Sequence, residues 1–380
     1  MSLVGNAAFL VAIGWKTVSV TGSPGSLGIV LMAEGLAMLA TLLIGGALAD
    51  RYERRRLMII SDLARLGVVA ALAITDATGH LTFPLLILFA IGVGLGDGFF
   101  HPAFGGIVPL VVETPHLASA NAMIGVARQM SFVVGPAIAA VIYGTVGSAS
   151  VFGLDAATFA VSALLLWRAR PRALEPEPEE GTFRAIASGA RYVASVPWLW
   201  ISIALAALVL MLVMAPYQVL LPDIVKENFG RGVGAYGLLF ALQAGGMVVG
   251  TLIFGQTNPR RHRVIRAYGA WAVNDICVIL FALSNHYEIA AALVFVRGAL
   301  IGYGIGIWET VLMELVPTNR LSRVISLDFF GSLGLTPVGF ALAAALAGPL
   351  SATTILVTGA AISATLWLAP LSLKRVRTAA

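Results

Sequence analysis

The chain has 380 residues, of which 59% are hydrophobic and only 11% are charged, with a formal net charge of +5. Soluble globular domains carry roughly 25% charged residues, so this composition excludes a soluble protein and indicates one embedded in a membrane. The single cysteine, Cys277, excludes an intrachain disulfide and a thiolate metal cluster. We expect no metal and no other cofactor.

Apolar segments follow one another along the whole chain. A bilayer core of about 30 Å needs about 20 apolar residues for each helical crossing. Residues 201–215 (ISIALAALVLMLVMA) are apolar on every face, which favours helices over the alternating strands of a β-barrel. The pattern predicts an all-α integral membrane protein with twelve transmembrane helices, at 3–20, 26–49, 57–75, 82–104, 119–145, 150–169, 198–220, 235–256, 264–283, 289–315, 322–346 and 351–371.

The longest polar stretch, residues 170–197, divides these segments into two sets of six. It predicts an N-terminal bundle at 1–169, a cytoplasmic linker at 170–197, and a C-terminal bundle with a short basic tail at 198–380. The linker begins with a run rich in proline and glutamate, while 183–195 predicts an amphipathic helix on the membrane surface.

The lysines and arginines fix the expected orientation. If successive connections alternate between sides, one side receives eighteen of the 24, in clusters at 51–56, 168–191, 260–266, 320–323 and 374–377. By the positive-inside rule this side is cytoplasmic, with both termini there. The basic residues therefore serve topology, and we expect no nucleic-acid partner.

The first segment begins almost at Met1, without the basic leader or cleavage site of a signal peptide. We therefore expect a start that is truncated or misassigned.

The two halves carry similar local patterns. A glycine near a helix end leads into an arginine cluster both at 46–56 and at 250–263, and Pro136 and Pro337 lie inside the fifth and eleventh segments. Two related six-helix halves are typical of secondary transporters, which bind substrate near the middle of the bilayer and move one half against the other.

Residues 46–56 (GALADRYERRR) resemble the signature between helices two and three of the major facilitator superfamily. Residues 61–66, 89–111 and 314–334 resemble its bacterial branch of macrolide-efflux proteins and enterobactin exporters. The resemblance covers essentially the whole chain. It implies two pseudo-symmetric bundles that work by alternating access in the bacterial inner membrane. It also implies a monomer that exports a small amphipathic molecule, such as a drug or siderophore, in exchange for protons.

The resemblance also implies a conformational latch. In this family the acid equivalent to Asp50 caps the amino end of the eleventh helix when the cytoplasmic side is closed. A carboxylate at that end of the helix dipole contributes up to about 2 kcal/mol. We predict that Gly46, Asp50, Arg51, Arg54 and Arg55 form this latch; the alternative is that the basic loop only fixes topology.

The chain departs from the family pattern in places that bear on coupling. Glu53 replaces the usual glycine of the loop, Asn6 replaces an acid of the first helix, and residues 85–100 lack an arginine that many drug:proton antiporters use. Two alternatives therefore stay open: uptake by symport, and a sensor or relic that does not transport. A lipid-modifying membrane enzyme is disfavoured, because no loop carries a nucleophile and base at useful spacing. We predict that the protein is not an enzyme.

Ionisable residues inside membrane helices cost about 3 kcal/mol each and point to function by default. Twelve residues are candidates here: Lys16, Glu34, Asp62, Arg65, Asp97, Arg128, Asp155, Asp275, Arg297, Glu309, Glu314 and Asp328. Asp62 and Arg65 are three residues apart, on one face of one turn, which predicts a structural pair.

Five of these residues are the predicted proton or charge relay. Asp97 and Arg128 lie at similar depth in the fourth and fifth helices, so they can pair, either as a structural ion pair or as a proton-linked one. Glu34, Glu309 and Asp328 are carboxyl groups that can exchange protons between sides as access alternates. Glu34 and Asp328 are the strongest candidates.

For the substrate cavity the sequence offers Asn6, together with Trp308 and Phe329, which adjoin Glu309 and Asp328. The glycine runs at 92–98 and 302–306 predict close helix packing rather than a nucleotide site, because they lie inside membrane segments.

Overall fold

A computed structural model describes residues 2–112, 117–169, 182–257 and 261–372. Within these ranges all regular secondary structure is helical. The helices are α1 Ser2–Thr21, α2 Pro24–Arg51, α3 Arg54–Ala77, α4 Phe83–Val111, α5 Leu117–Thr145, α6 Ser148–Arg168, α7 Thr182–Ser195, α8 Pro197–Val209, α9 Ala215–Asp223, α10 Val233–Thr257, α11 Arg263–Leu283, α12 Tyr287–Leu315, α13 Thr318–Leu333, α14 Thr336–Leu346 and α15 Ala352–Leu368.

The helices confirm the membrane fold that the composition predicts. Among the described residues, eleven helical segments are long and apolar enough to cross a bilayer, and α15 adds a shorter apolar helix of 17 residues. Apolar helices suit a membrane because each satisfies its backbone hydrogen bonds internally. Helix α7 forms where the amphipathic pattern predicts it; residues 170–181 of the predicted linker lie outside the described residues.

Two predicted segments differ in detail from the observed helices. The seventh segment continues to Asn228 as α8 and α9, with π-helical turns at Leu210–Met214 and Ile224–Asn228. The eleventh segment is divided at Gly334 and Leu335 into α13 and α14. Pro337 explains the division, because proline has no backbone N–H and its ring clashes with the preceding turn. Pro136, by contrast, lies inside an uninterrupted α5.

The chain forms two compact units. The first comprises residues 1–177 and 225–241, and the second comprises residues 178–224 and 242–380. Residues 225–241 belong to the first unit through contacts such as that of Tyr236, whose ring lies 5.8 Å from that of Trp15.

Glycines allow the closest helix contacts inside each unit. A Cβ on Gly98 of α4 would overlap Thr41 and the Met38 carbonyl of α2, and a Cβ on Gly302 of α12 would overlap the Met247 backbone of α10. Small residues let membrane helices approach in this way. The glycine runs therefore pack helices, as predicted.

Candidate functional site

A cavity of about 410 Å³ lies within the second unit. Its volume is in the range of small-molecule sites. Helices α8 to α13 and α15 contribute its walls, and the π-helical turn after α8 supplies three of the lining residues. The lining residues are Ser202, Ala206, Val209, Leu210, Val213, Met214, Gln218, Gln243, Met247, Trp271, Asn274, Asp275, Arg297, Ile301, Ile305, Trp308, Asp328, Ser332 and Trp367.

One wall of the cavity carries a chain of buried polar groups. Arg297 of α12 donates from Nε to Asn274 Oδ1 at 3.1 Å, and Asn274 Nδ2 donates to Asp275 Oδ1 at 3.0 Å. Ser363 of α15 donates to the other oxygen of Asp275. Asp275 is fully buried, so these two donors replace the water that its carboxylate would otherwise bind.

The Arg297 guanidinium is only partly satisfied. Its centre lies 3.8 Å from the ring centroid of Tyr217, in cation–π contact. Its Nη1 atom is buried and has no hydrogen-bond partner among the described residues. A buried donor without a partner costs about 1–3 kcal/mol.

A second polar pair lies across the cavity lining, between α12 and α13. Trp308 Nε1 donates to Asp328 Oδ2 at 3.0 Å, and both side chains are partly buried. The sequence pointed to both residues, and the structure brings them into direct contact.

Tryptophan rings form the apolar wall. The rings of Trp271 and Trp367 lie 4.6 Å apart, and Tyr268 packs 5.1 Å from Trp367 while sharing a 2.6 Å hydrogen bond with Ser202. Trp367 is 5% exposed, and its Nε1 has no hydrogen-bond partner in the described structure.

The first unit holds a separate charged cluster, the Arg65 cluster, formed by Arg65, Asp62 and Asp97. Arg65 is 1% exposed and binds Asp62 Oδ1 and Asp97 Oδ1, each at 2.5 Å. Its guanidinium centre lies 4.4 Å from the ring centroids of both Phe100 and Phe159. The pairing of Asp62 with Arg65 is confirmed.

Two further carboxyl groups lie near the Arg65 cluster. Glu34 of α2 and Asp155 of α6 interact electrostatically with each other and with Asp97. Asp155 is 2% exposed and accepts a hydrogen bond from Thr158 at 3.3 Å. Four carboxyl groups therefore lie in the region of one buried guanidinium, which can neutralise only one of them.

The predicted pairing of Asp97 with Arg128 is wrong. Asp97 contacts Arg65, while Arg128 is exposed on the surface of the first unit. Depth along the helices placed the two residues at one level, but depth does not give the direction in which each side chain points around its helix axis. Arg128 contributes to the electrostatics of His101 in the same unit.

The remaining predicted residues lie apart from the cavity. Glu309 and Phe329 are exposed and do not line it, although each follows a residue that does. Asn6 is half-buried in α1 of the first unit. The sequence cue for Phe329 was adjacency to Asp328, but neighbours in a helix face different directions.

The structure describes the side chains of only some of the predicted latch residues. Arg55 donates from Nη2 to the Trp167 carbonyl at 2.9 Å and lies 3.8 Å from Glu53, so it ties α3 to the end of α6. Arg54 is half-buried at the start of α3. Gly46, Asp50 and Arg51 belong to α2, and their side chains lie outside the described part of the structure.

Sequence reasoning noted Asp275 and Arg297 as membrane charges but did not include them in the site. It missed Asn274, Trp271 and Trp367 altogether. A usable signal was present, since a lone arginine in one apolar helix requires a polar partner in another, and Asn274–Asp275 is the polar pair of α11.

Known protein families and proteins are similar in sequence to most of this chain. The family model described as Major Facilitator Superfamily matches residues 1–332. The enterobactin exporter EntS of Salmonella choleraesuis (strain SC-B67) is 26% identical over 374 residues, which cover 96% of this chain and 86% of that protein.

Solved structures show the same fold at low identity. The nucleoside transporter NupG superposes with a TM-score of 0.72 at 13% identity, covering 97% of this chain and 98% of that one. The D-xylose-proton symporter gives 0.71 at 13% identity, covering 100% of this chain and 96% of that one.

Proposed function

Because this chain belongs to the major facilitator superfamily, we propose that it is a secondary active transporter that exports a small amphipathic molecule across the bacterial inner membrane. The observation that carries this proposal is the cavity of the second unit, where apolar walls surround a few buried polar groups inside membrane-spanning helices. Ligand sites have this composition, because apolar walls bind while a few polar groups orient the ligand.

A siderophore or a drug is the substrate class that fits this proposal. Similarity to a relative named as an enterobactin exporter extends over nearly the whole chain and supports export of a siderophore. The protein acts as a monomer and needs no cofactor, since the gradient across the membrane supplies the energy.

The proton gradient is the proposed energy source. At and beside the Arg65 cluster, the carboxyl groups of Asp62, Asp97, Glu34 and Asp155 outnumber the single guanidinium. Adjacent carboxyl groups cannot all ionise at low cost away from water, so binding and release of a proton there is accessible. Asp328 offers a second carboxyl group, at the cavity itself.

The test is transport in inverted membrane vesicles. Vesicles with an acidified lumen should accumulate enterobactin or a fluorescent amphipathic dye, and a protonophore should abolish the accumulation. The Glu288→Gln variant changes an exposed carboxyl group at the start of α12 and serves as the matched control for acid substitutions.

Two different measurements test the direction of transport and its coupling to the proton gradient. Accumulation in right-side-out vesicles with an acidic exterior would contradict export and establish uptake. Accumulation in inverted vesicles that persists with the protonophore would contradict proton coupling.

A further inference from the structure

The side chains that line the cavity of the second unit indicate which chemical class of substrate it binds. This inference rests on the proposed function. We propose that this cavity binds a planar aromatic molecule bearing an anionic oxygen group, with Arg297 and Trp367 donating hydrogen bonds to that oxygen group. Arg297, Trp367, Trp271 and Asp328 all line the same cavity.

Two buried donors in the lining lack partners. Arg297 is 4% exposed and Trp367 is 5% exposed, and both Arg297 Nη1 and Trp367 Nε1 have no hydrogen-bond partner among the described residues. Buried N–H groups are nearly always paired, so each orphan favours an acceptor that the ligand supplies. Both atoms are enclosed by protein when no ligand is bound, so each side chain must shift toward the cavity to donate to that acceptor. Charged oxygens are the preferred acceptors of a guanidinium.

The acidic groups of the lining are already engaged. Asp275 accepts from Ser363 on one oxygen and from Asn274 on the other, and Asp328 accepts from Trp308. The cavity lining therefore has unmet donors at Arg297 and Trp367, while donors of the protein itself already bind both oxygens of Asp275 and one oxygen of Asp328. This distribution favours a ligand that brings acceptors over one that brings a cation.

The tryptophan wall favours a flat ring. The rings of Trp271 and Trp367 lie 4.6 Å apart at an interplanar angle of 41°, in a lining that also contains Trp308, two methionines and one leucine. Aromatic faces bind planar rings in offset or tilted stacks. A volume of about 410 Å³ accommodates a ring system of this kind.

Three naphthalene compounds of matched size test the ligand class. Titration calorimetry on the full-length protein in detergent compares 2-naphthoate, 2-naphthamide and the 2-naphthylmethylammonium cation. We expect 2-naphthoate to bind most tightly and the cation most weakly. Arg297→Gln should weaken 2-naphthoate by about tenfold or more and 2-naphthamide much less, because only the anion uses the charge.

A milder variant keeps the test decisive if Arg297→Gln does not fold. Trp367→Phe keeps a ring and removes only the Nε1 donor, so it should weaken 2-naphthoate by about three- to tenfold. Trp200→Phe is the control, because Trp200 is exposed on α8 and does not line the cavity.

Each result of these titrations either supports or overturns the inferred ligand class. Tighter binding of the cation, or equal 2-naphthoate affinity in Trp367→Phe and Trp200→Phe, overturns the inferred ligand class. Binding of 2-naphthoate that depends on Trp367 supports it even where vesicles export nothing, so a failure of the transport proposal is distinguishable from a failure of this one.

Discussion

At the scale of single residues, Arg65 is a buried charge that joins α3 to α4 in the first unit. It forms ion pairs with both Asp62 and Asp97, while Phe100 and Phe159 cover its guanidinium. Arg65→Gln would leave two carboxylates without their cation. Breaking a buried pair from one side costs about 3–5 kcal/mol.

Thermal unfolding in detergent measures this effect. We expect Arg65→Gln to lower the melting temperature strongly, and the triple change Arg65→Gln, Asp62→Asn and Asp97→Asn to recover part of the loss, because it removes the uncompensated charges. A triple variant less stable than Arg65→Gln would show that packing, not charge, holds this cluster together.

Some of the side-chain contacts could be predicted from the sequence and others could not. A charged residue inside an apolar segment could be recognised from the sequence as functional or structural. The Asp62–Arg65 pair could be predicted because the two residues are three apart in one helix. Arg65–Asp97 and Asn274–Arg297 join different helices. Such contacts depend on the rotation of each helix about its axis, which apolar residues on every face leave undetermined.

At the scale of elements, helix positions were predictable, since a membrane crossing needs a continuous apolar run. The division between α13 and α14 carried a signal in Pro337, but Pro136 sits in an unbroken α5. Proline alone therefore does not decide a break. The π-helical turn at Leu210–Met214 has no sequence cue that separates it from the helices on either side, although it lines the cavity.

Packing of α2 on α4 gives a prediction at this scale. A Cβ on Gly98 would overlap Thr41 and the backbone of Met38, whereas a Cβ on Gly105 in the same helix meets nothing within 4 Å. Overpacking costs about 1–3 kcal/mol.

Gly98→Ala should therefore lower the melting temperature of the purified protein by several degrees. Gly105→Ala should leave the melting temperature unchanged or raise it, since alanine favours helix. Equal melting temperatures for the two variants would contradict close packing of α2 on α4 at Gly98.

At the scale of the whole molecule, the distribution of basic residues predicts topology. Fluorescent-protein fusions after the C terminus and within the 51–56 loop should fluoresce, while alkaline phosphatase fused after His80 should be active. Alkaline phosphatase activity at the C terminus would reverse the orientation and, with it, the proposed direction of transport.

The latch is a second prediction about the whole molecule. A carboxylate at a helix amino end contributes up to about 2 kcal/mol to one conformation of a two-state equilibrium. Asp50→Asn should therefore cut vesicle transport several-fold while leaving membrane insertion unchanged. Arg56→Gln, a change in the same basic cluster but outside the predicted latch, is the matched control; Arg56 lies in the first turn of α3. Equal transport by the two variants would show that the loop serves topology alone.

Proton coupling links individual carboxyl groups to the conformational change of the whole transporter. A carboxyl group drives transport only if it can take up a proton from one side and release it to the other, so its amide replacement should bind substrate and yet ignore the gradient. Glu34 lies beside the Arg65 cluster, and Asp328 lies at the cavity, held by Trp308.

Glu34→Gln and Asp328→Asn should each bind ligand in detergent with affinity within about threefold of the parent protein. Glu34 does not line the cavity, and the amide oxygen at position 328 can still accept the hydrogen bond from Trp308. In inverted vesicles each variant should equilibrate the substrate without accumulating it when the lumen is acidified. Glu288→Gln should accumulate it as the parent does. If both variants retain full gradient-driven accumulation, the proton is carried elsewhere, and Asp155 becomes the residue to replace because it is buried beside the same cluster.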